Sequence, residues 1–182
     1  MKELSLNVLD VAKNSVKAEA TLIEIALIET ETTLLLRIRD NGYGMEPAFL
    51  ERVLDPFSTT RTTRKVGLGL PLLKLAAEQT GGTLKIESVS RNASKEHCGT
   101  TVEAFFHTDH MDFTPIGDIV STITLLIQGN PGIDFRFLHE MPDRKVELDT
   151  RELRAVLGDD VPLNDFAVLN WITESLQEQY NS

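Results

Sequence analysis

Apolar residues recur at Leu4, Val8, Val11 and Val16. That spacing is near the helical period and predicts a helix over residues 4–16. Residues 21–28 and 34–39 read as strands on length and β-branched content, and Glu29-Thr30-Glu31-Thr32 is a hairpin turn between them. Residues 47–54 form a short helix with Pro47 near its start. Gly67-Leu68-Gly69-Leu70 is a glycine-rich turn that feeds a helix reaching Thr80. Pro71 suits the first turn of that helix, and Gly81-Gly82 stops it. Residues 83–88 and 101–106 are two more strands, joined by the polar stretch 90–99.

The texture changes near residues 107–115. Thr114 with Pro115 is a helix-start signal, and Ile116, Ile119, Val120, Ile123 and Ile127 follow at helical spacing. Asn130-Pro131-Gly132 ends that helix. Residues 135–139 and 145–148 suggest a hairpin around Pro142-Asp143-Arg144, followed by helices at 150–157 and 165–179. The pattern divides the chain into 1–110 and a smaller α+β module at 111–182.

Charge sharpens that division. The net charge is -10, of which residues 1–110 carry -2 and residues 111–182 carry -8. An acidic surface repels nucleic acid, so the second part is expected to face a protein rather than a phosphate. The one cysteine, Cys98, excludes an internal disulfide and fits a reducing compartment. The apolar run after Met1 is too short for a signal peptide, and no segment approaches a membrane span, so a cytoplasmic location is expected.

Candidate chemistry sits in the first part. Asp10 and Asn14 are one helical turn apart and share a face. An Asn amide oxygen can complete the shell of Mg²⁺, and a carboxylate one turn earlier can orient or deprotonate water. The same pair also suits a solvated helix face. Asp40-Asn41-Gly42-Tyr43-Gly44-Met45 ends a strand. Asp40 can accept from the amine of adenine, Gly42 and Gly44 admit a flat ring, and Met45 adds a polarizable wall. As a bare tripeptide, Asp-Asn-Gly is also a common turn. Thr59, Thr60, Arg61, Thr62, Thr63, Arg64 and Lys65 form a polar, basic run suited to triphosphate oxygens or to a solvated loop. Gly67-Leu68-Gly69-Leu70 enters a helix whose free amides can bind an anion. His107, Asp109, His110 and Asp112 are metal-capable types, but tight alternation does not converge four side chains on one point.

In this order the motifs resemble the GHKL superfamily of ATPases: gyrase, heat-shock chaperones, histidine kinases and mismatch-repair ATPases. The resemblance covers residues 4–106. Residues 9–18 resemble the N box, 40–45 the G1 box, 55–61 the F box of histidine kinases, 67–82 the G2 box with its helix, and 99–101 the last Gly-Thr motif. It implies a two-layer α/β sandwich, the Bergerat ATP-binding fold, with helices on one face of a mixed, mostly antiparallel sheet. It implies that Asn14 coordinates Mg²⁺, that Asp40 binds the adenine amine and that Thr100 reaches adenine through a water. Further contacts to ATP or ADP fall to Lys17, Gly42, Gly44, Met45, Thr59, Thr60, Arg61, Lys65, Gly67, Leu68, Gly69 and Leu70. Residues 47–66 would form a lid over the phosphates.

Three departures stand out. Asp10 occupies a position that often holds Glu, and its shorter reach weakens water activation. Lys65 stands where a further glycine is usual, which stiffens the lid and puts an ammonium near a phosphate. No His precedes the N box, and His97, His107, His110 and His139 fall outside a phosphoacceptor helix. The expected function is therefore a Mg²⁺-dependent ATP-binding protein, a slow ATPase with Asp10 as base, acting as a regulatory switch on a protein partner. Two alternatives stay open: a protein serine/threonine kinase acting in trans, like anti-sigma-factor kinases, and an ATP sensor without chemistry. The apolar helix near Ile116–Ile127 packs on the sheet or seals a homodimer. DNA and membrane are not expected partners.

Overall fold

The computed structural model describes residues 3–55 and 67–182. Helix α1 (Leu4–Lys17) buries Leu4, Val8, Val11, Ala12 and Ser15 along one stripe. Glu19, at φ +61°, reverses the chain after it. Strands β1 (Leu22–Glu29) and β2 (Thr33–Asp40) then form an antiparallel hairpin, with Ile25 opposite Ile38. Both bury every second side chain on one face only, as the twofold period of a strand dictates. A short helix α2 (Pro47–Arg52), helix α3 (Gly69–Glu78) and strands β3 (Thr83–Val89) and β4 (Gly99–His107) follow. The second part of the chain gives α4 (Ile119–Gly129), β5 (Asp134–Glu140), β6 (Lys145–Asp149), α5 (Thr150–Leu157) and α6 (Phe166–Asn181).

The six strands make one sheet in the order β3-β4-β2-β1-β5-β6. Four of the five strand pairs among the described residues are antiparallel, and β1 with β5 is the parallel one. This is the α+β sandwich expected from the sequence. The break expected at residue 110 does not interrupt the sheet: β5 lies directly on β1, with Ile25 beside Phe137. The core is likewise continuous, from Leu73 and Phe106 through Ile25 and Phe137 to Ile123 and Ile172. Helices α3, α1, α4 and α6 pack side by side over it. Arg37–Glu103 and Glu24–Arg136 pair across neighbouring strands on the opposite, open face. Among the described residues no helix is long and apolar enough to cross a membrane.

One boundary differs from the sequence reading. Helix α4 starts at Ile119, not after Thr114. The carbonyls of Pro115 and Ile116 accept from the Leu4 and Ser5 amides, so that backbone caps α1 instead of starting a helix. Asp118 caps α4, accepting from the Ser121 amide at 3.0 Å and its hydroxyl at 2.6 Å. Those two bonds hold its carboxyl below the usual range.

His139, on β5, is buried between two partners from other elements. Its Nε2 lies 2.6 Å from Glu29 Oε2, and its Nδ1 lies 2.7 Å from the Tyr180 hydroxyl. Burial first, and the Glu29 charge second, push the Tyr180 hydroxyl well above its ordinary value. The carboxylate–imidazole–phenol chain joins β1 to the end of α6. Beside it, the Gln179 amide accepts from Glu147 N at 2.8 Å and donates to Glu147 O at 3.0 Å.

Candidate functional site

The strand ends of β2 and β4 meet the C-terminal half of α1 at one edge of the helical face. Asp40 and Thr100 are direct partners across β2 and β4, and Ser88 is the partner of Thr100 across β3 and β4. Directly opposed residues share a sheet face, so the three polar side chains form one row. That row continues the face that buries Leu36, Ile38 and Val102.

Asp40 is held from two sides. Its Oδ2 accepts from the Ser15 hydroxyl at 2.6 Å, and its Oδ1 accepts from the Gly42 amide at 2.9 Å. The carboxylate is half-buried and fixed, and each oxygen keeps lone pairs beyond the bond it already accepts. Asn41 serves the backbone instead. Its side chain accepts from the Thr21 and Leu22 amides and donates to the Thr21 hydroxyl, which ties the loop to the start of β1. The Tyr43 amide bonds Ala18 O, and the Arg91 guanidinium lies 5.7 Å over the Tyr43 ring.

Two glycines are required by this geometry. Gly44 has φ +71°, and a Cβ there would lie 2.0 Å from Val89 O. Gly99, at φ +143°, would put a Cβ 2.1 Å from Asp40 O. Any side chain at either place forces apart the backbones that carry the row. The Met45 amide donates to Ser88 Oγ at 2.8 Å.

Asp10 and the glycine-rich turn also come together. A Cβ on Gly69 would stand 3.2 Å from Asp10 Cβ, so the absent side chain lets the start of α3 approach α1. Among the described residues no side chain caps α3, and Gly69 and Leu70 open it in its first turn, where amides suit an anion. Asn14 lies one turn beyond Asp10. Its amide nitrogen is buried without a hydrogen-bond partner among the described residues. An oxygen donor beside a carboxylate fits a hard divalent cation. Lys17 is exposed in the last turn of α1, Leu68 is partly exposed, and among the described residues nothing lies within 4 Å of a Cβ built on Gly67. Thr59, Thr60, Arg61 and Lys65, with most of the expected lid, lie outside the described residues.

At the foot of that lid, Glu46 Oε1 accepts from Ser90 Oγ at 2.8 Å and Asn92 Nδ2 at 2.7 Å. These bonds, Ser90 first, hold its carboxyl below the ordinary value of 4.5. A lowered value means the clasp is favoured while Glu46 is ionised and is lost as pH falls through the lowered value. The Asn92 side-chain amide resonance is therefore expected to titrate with a midpoint below 4.5. A midpoint at or above 4.5 shows that the clasp does not form in solution.

His107 and His110 serve elsewhere. The His107 ring packs edge-on against Phe105, and His110 Nδ1 accepts from the Asp112 amide. Among the described residues no three His, Cys, Asp or Glu side chains gather as a metal site.

Sequence reasoning missed Ser15, Ser88 and Glu46. Two of these leave a signal. Ser15 falls on the buried stripe of α1, seven residues after Val8, and Ser88 falls on the inward alternation after Leu84 and Ile86. A hydroxyl at an inward position at the end of an element has a polar partner to meet.

The chain is similar to known proteins in sequence and in fold. Residues 2–110 match the family model described as histidine kinase-, DNA gyrase B- and HSP90-like ATPase. A probable C4-dicarboxylate sensor kinase of Bacillus subtilis is 34% identical over 74 residues, 41% of this chain and 14% of the kinase. The sensor protein SrrB of Staphylococcus aureus is 32% identical over 93 residues, 48% of this chain and 16% of that protein. The chain thus matches only a small part of these relatives. Among solved structures, the Aquifex aeolicus MutL ATPase domain complexed with ADP superposes at TM-score 0.54 and 15% identity, over 98% of this chain and 70% of that one. The N-terminal domain of a DNA repair protein superposes at TM-score 0.55 and 19% identity, over 82% of this chain and 53% of that one.

Proposed function

The chain belongs to the histidine kinase-, DNA gyrase B- and HSP90-like ATPases, and from that premise we propose that it is a Mg²⁺-dependent ATP switch that hydrolyses ATP slowly and acts on a protein partner. The carrying observation is the fixed Asp40 carboxylate, held by Ser15 and Gly42 and in register with Thr100. Asp40 receives the adenine amine, and Thr100 receives a water that bridges to the ring. The Gly69 and Leu70 amides at the α3 start donate to phosphate oxygens. Asn14 holds Mg²⁺ through its amide oxygen, and the ion, when bound, neutralises phosphate charge. Asp10, packed against Gly69 at the α3 start, orients a water and takes up its proton. Thr59, Thr60, Arg61 and Lys65 complete the phosphate side. The acidic residues 111–182 meet the partner.

Similarity to sensor kinases over 41–48% of the chain supports a second reading, phosphoryl transfer to a protein in trans. One experiment separates the two. Protein is incubated with γ-labelled ATP and Mg²⁺, with and without cell lysate, and free phosphate and protein-bound label are followed together. Phosphate release that Asp10→Asn abolishes, with ATP binding retained, is the result expected of the switch. Label on a lysate protein, absent in the variant, establishes the kinase. Binding with neither signal leaves a nucleotide sensor and removes the hydrolytic switch.

A further inference from the structure

Among the described residues Ser88 Oγ has three polar neighbours: Met45 N at 2.8 Å, Gly99 O at 3.1 Å and Thr100 Oγ1 at 2.8 Å. The directions of these bonds follow from proton count. The Met45 amide can only donate, and the Gly99 carbonyl can only accept. Ser88 has one proton and two lone pairs. Its proton goes to Gly99, one lone pair takes the Met45 N–H, and the other takes the Thr100 O–H. The reverse arrangement, with Ser88 donating to Thr100, leaves Ser88 and Gly99 facing each other as two acceptors without a proton. The Thr100 hydroxyl is therefore turned toward β3, and only its lone pairs face the pocket.

Asp40, directly opposite Thr100, is in the same condition. Its oxygens already accept from Ser15 and Gly42, and an ionised carboxylate has nothing to donate. The Asp40–Thr100 row therefore offers hydrogen-bond acceptors only. A 6-amino purine presents donors to such a row. A 6-oxo purine presents a carbonyl beside an N1–H: the row can take the N1–H but holds no proton of its own for the carbonyl.

We propose that Ser88 is a specificity-determining residue: by fixing the proton of Thr100 away from the pocket, it makes the base site an acceptor-only surface that selects 6-amino over 6-oxo purine nucleotides. This rests on the reading of Asp40 and Thr100 as the base site. Ser88 is a positioning residue, acting through Thr100. In Ser88→Ala the Thr100 hydroxyl loses its partner on β3. It becomes free to rotate and donate into the pocket, where it can serve an oxo group directly or through water.

The test measures dissociation constants for ATP and inosine triphosphate by calorimetry with the full chain. The expected result is wild-type preference for ATP, with the ratio of the two constants reduced about tenfold in Ser88→Ala, the size of one directed hydrogen bond. Ser88→Thr keeps a hydroxyl in place and is expected to keep the ratio. A merely structural Ser88 would weaken both nucleotides together, and an unchanged ratio in a folded Ser88→Ala overturns the proposal. Should Ser88→Ala not fold, Thr100→Val removes the same acceptor without touching Ser88, and an unchanged ratio there overturns it equally. Wild-type protein that binds both nucleotides alike overturns the proposal together with the Asp40 assignment. Wild-type selectivity that survives Ser88→Ala overturns the proposal alone.

Discussion

Asp40→Asn is expected to lower ATP affinity about 100-fold while leaving the fold intact. The reason lies in which atoms the substitution changes. In the native site both carboxylate oxygens accept, from Ser15 Oγ and from the Gly42 amide. In the variant the amide oxygen stays with the Gly42 N–H, which cannot turn. The amide nitrogen then faces Ser15, whose hydroxyl can rotate and accept. Local structure is therefore kept, and a melting temperature within a few degrees of wild type is expected. The side turned to the base now carries N–H hydrogens where the adenine amine also brings hydrogens. A charge-assisted hydrogen bond contributes about 1.5–3 kcal/mol, and facing donors add to its loss. Every 1.4 kcal/mol is about tenfold in affinity. Calorimetry with ATP and Mg²⁺ checks this. Affinity within about threefold of wild type would remove Asp40 from the base site and undo the reading built on it.

Cutting the chain after residue 110 is expected to abolish cooperative folding, although residues 2–110 are the part that matches the family. The β1 side chains Ile23, Ile25 and Leu27 are at most 1% exposed, and β5 supplies the neighbouring strand with Phe135 and Phe137 equally buried. Helix α4 adds Ile119, Ile123, Leu126 and Ile127, and α6 adds Val168, Ile172 and Leu176 to the same core. Removing one buried Phe costs about 3–5 kcal/mol, whereas a whole domain is stable by only about 5–15 kcal/mol. Loss of two strands and three helices exceeds that margin, and it leaves the long edge of β1 unpaired. The fragment is expected to melt without a transition and to bind a hydrophobic dye. A fragment that melts cooperatively and binds ATP would show that residues 1–110 stand alone. The single change Phe137→Ala, read by denaturant melts of the full chain, reports the same dependence at about 3–5 kcal/mol.

Most elements of this fold were legible because local rules decide them. The stripe of α1 and the alternation in β1 and β2 announce themselves, as do the glycine stop at Gly81-Gly82 and the turn at Pro142-Asp143-Arg144. What stayed hidden was non-local. Nothing in the run around Phe135 and Phe137 says that its neighbour is β1, more than 100 residues earlier. The helix signal at Thr114-Pro115 was overridden because the first turn of α1 needed two acceptors and took the Pro115 and Ile116 carbonyls. At the site, Asp40 and Gly44 could be named from motif spacing. Ser15 and Ser88 could not, because their meaning depends on partners that only the sheet register supplies.

The bidentate grip of Gln179 on Glu147 bears on how copies of this chain can meet. β6 is a border strand, and Glu147 sits at the middle of its five residues. Border strands invite another chain to add its own strand, because their outward N–H and C=O groups lack partners. One primary amide fills both outward positions of Glu147, as an incoming strand would. Growth of the sheet past β6 would first have to unseat α6. The opposite border, β3, carries no such plug among the described residues. It relies on Lys85 and Glu87, mostly exposed and paired at 2.7 Å, to keep its outer rim hydrated. Among the described residues, addition of a further strand is thereby hindered at the β6 end and less so at the β3 end.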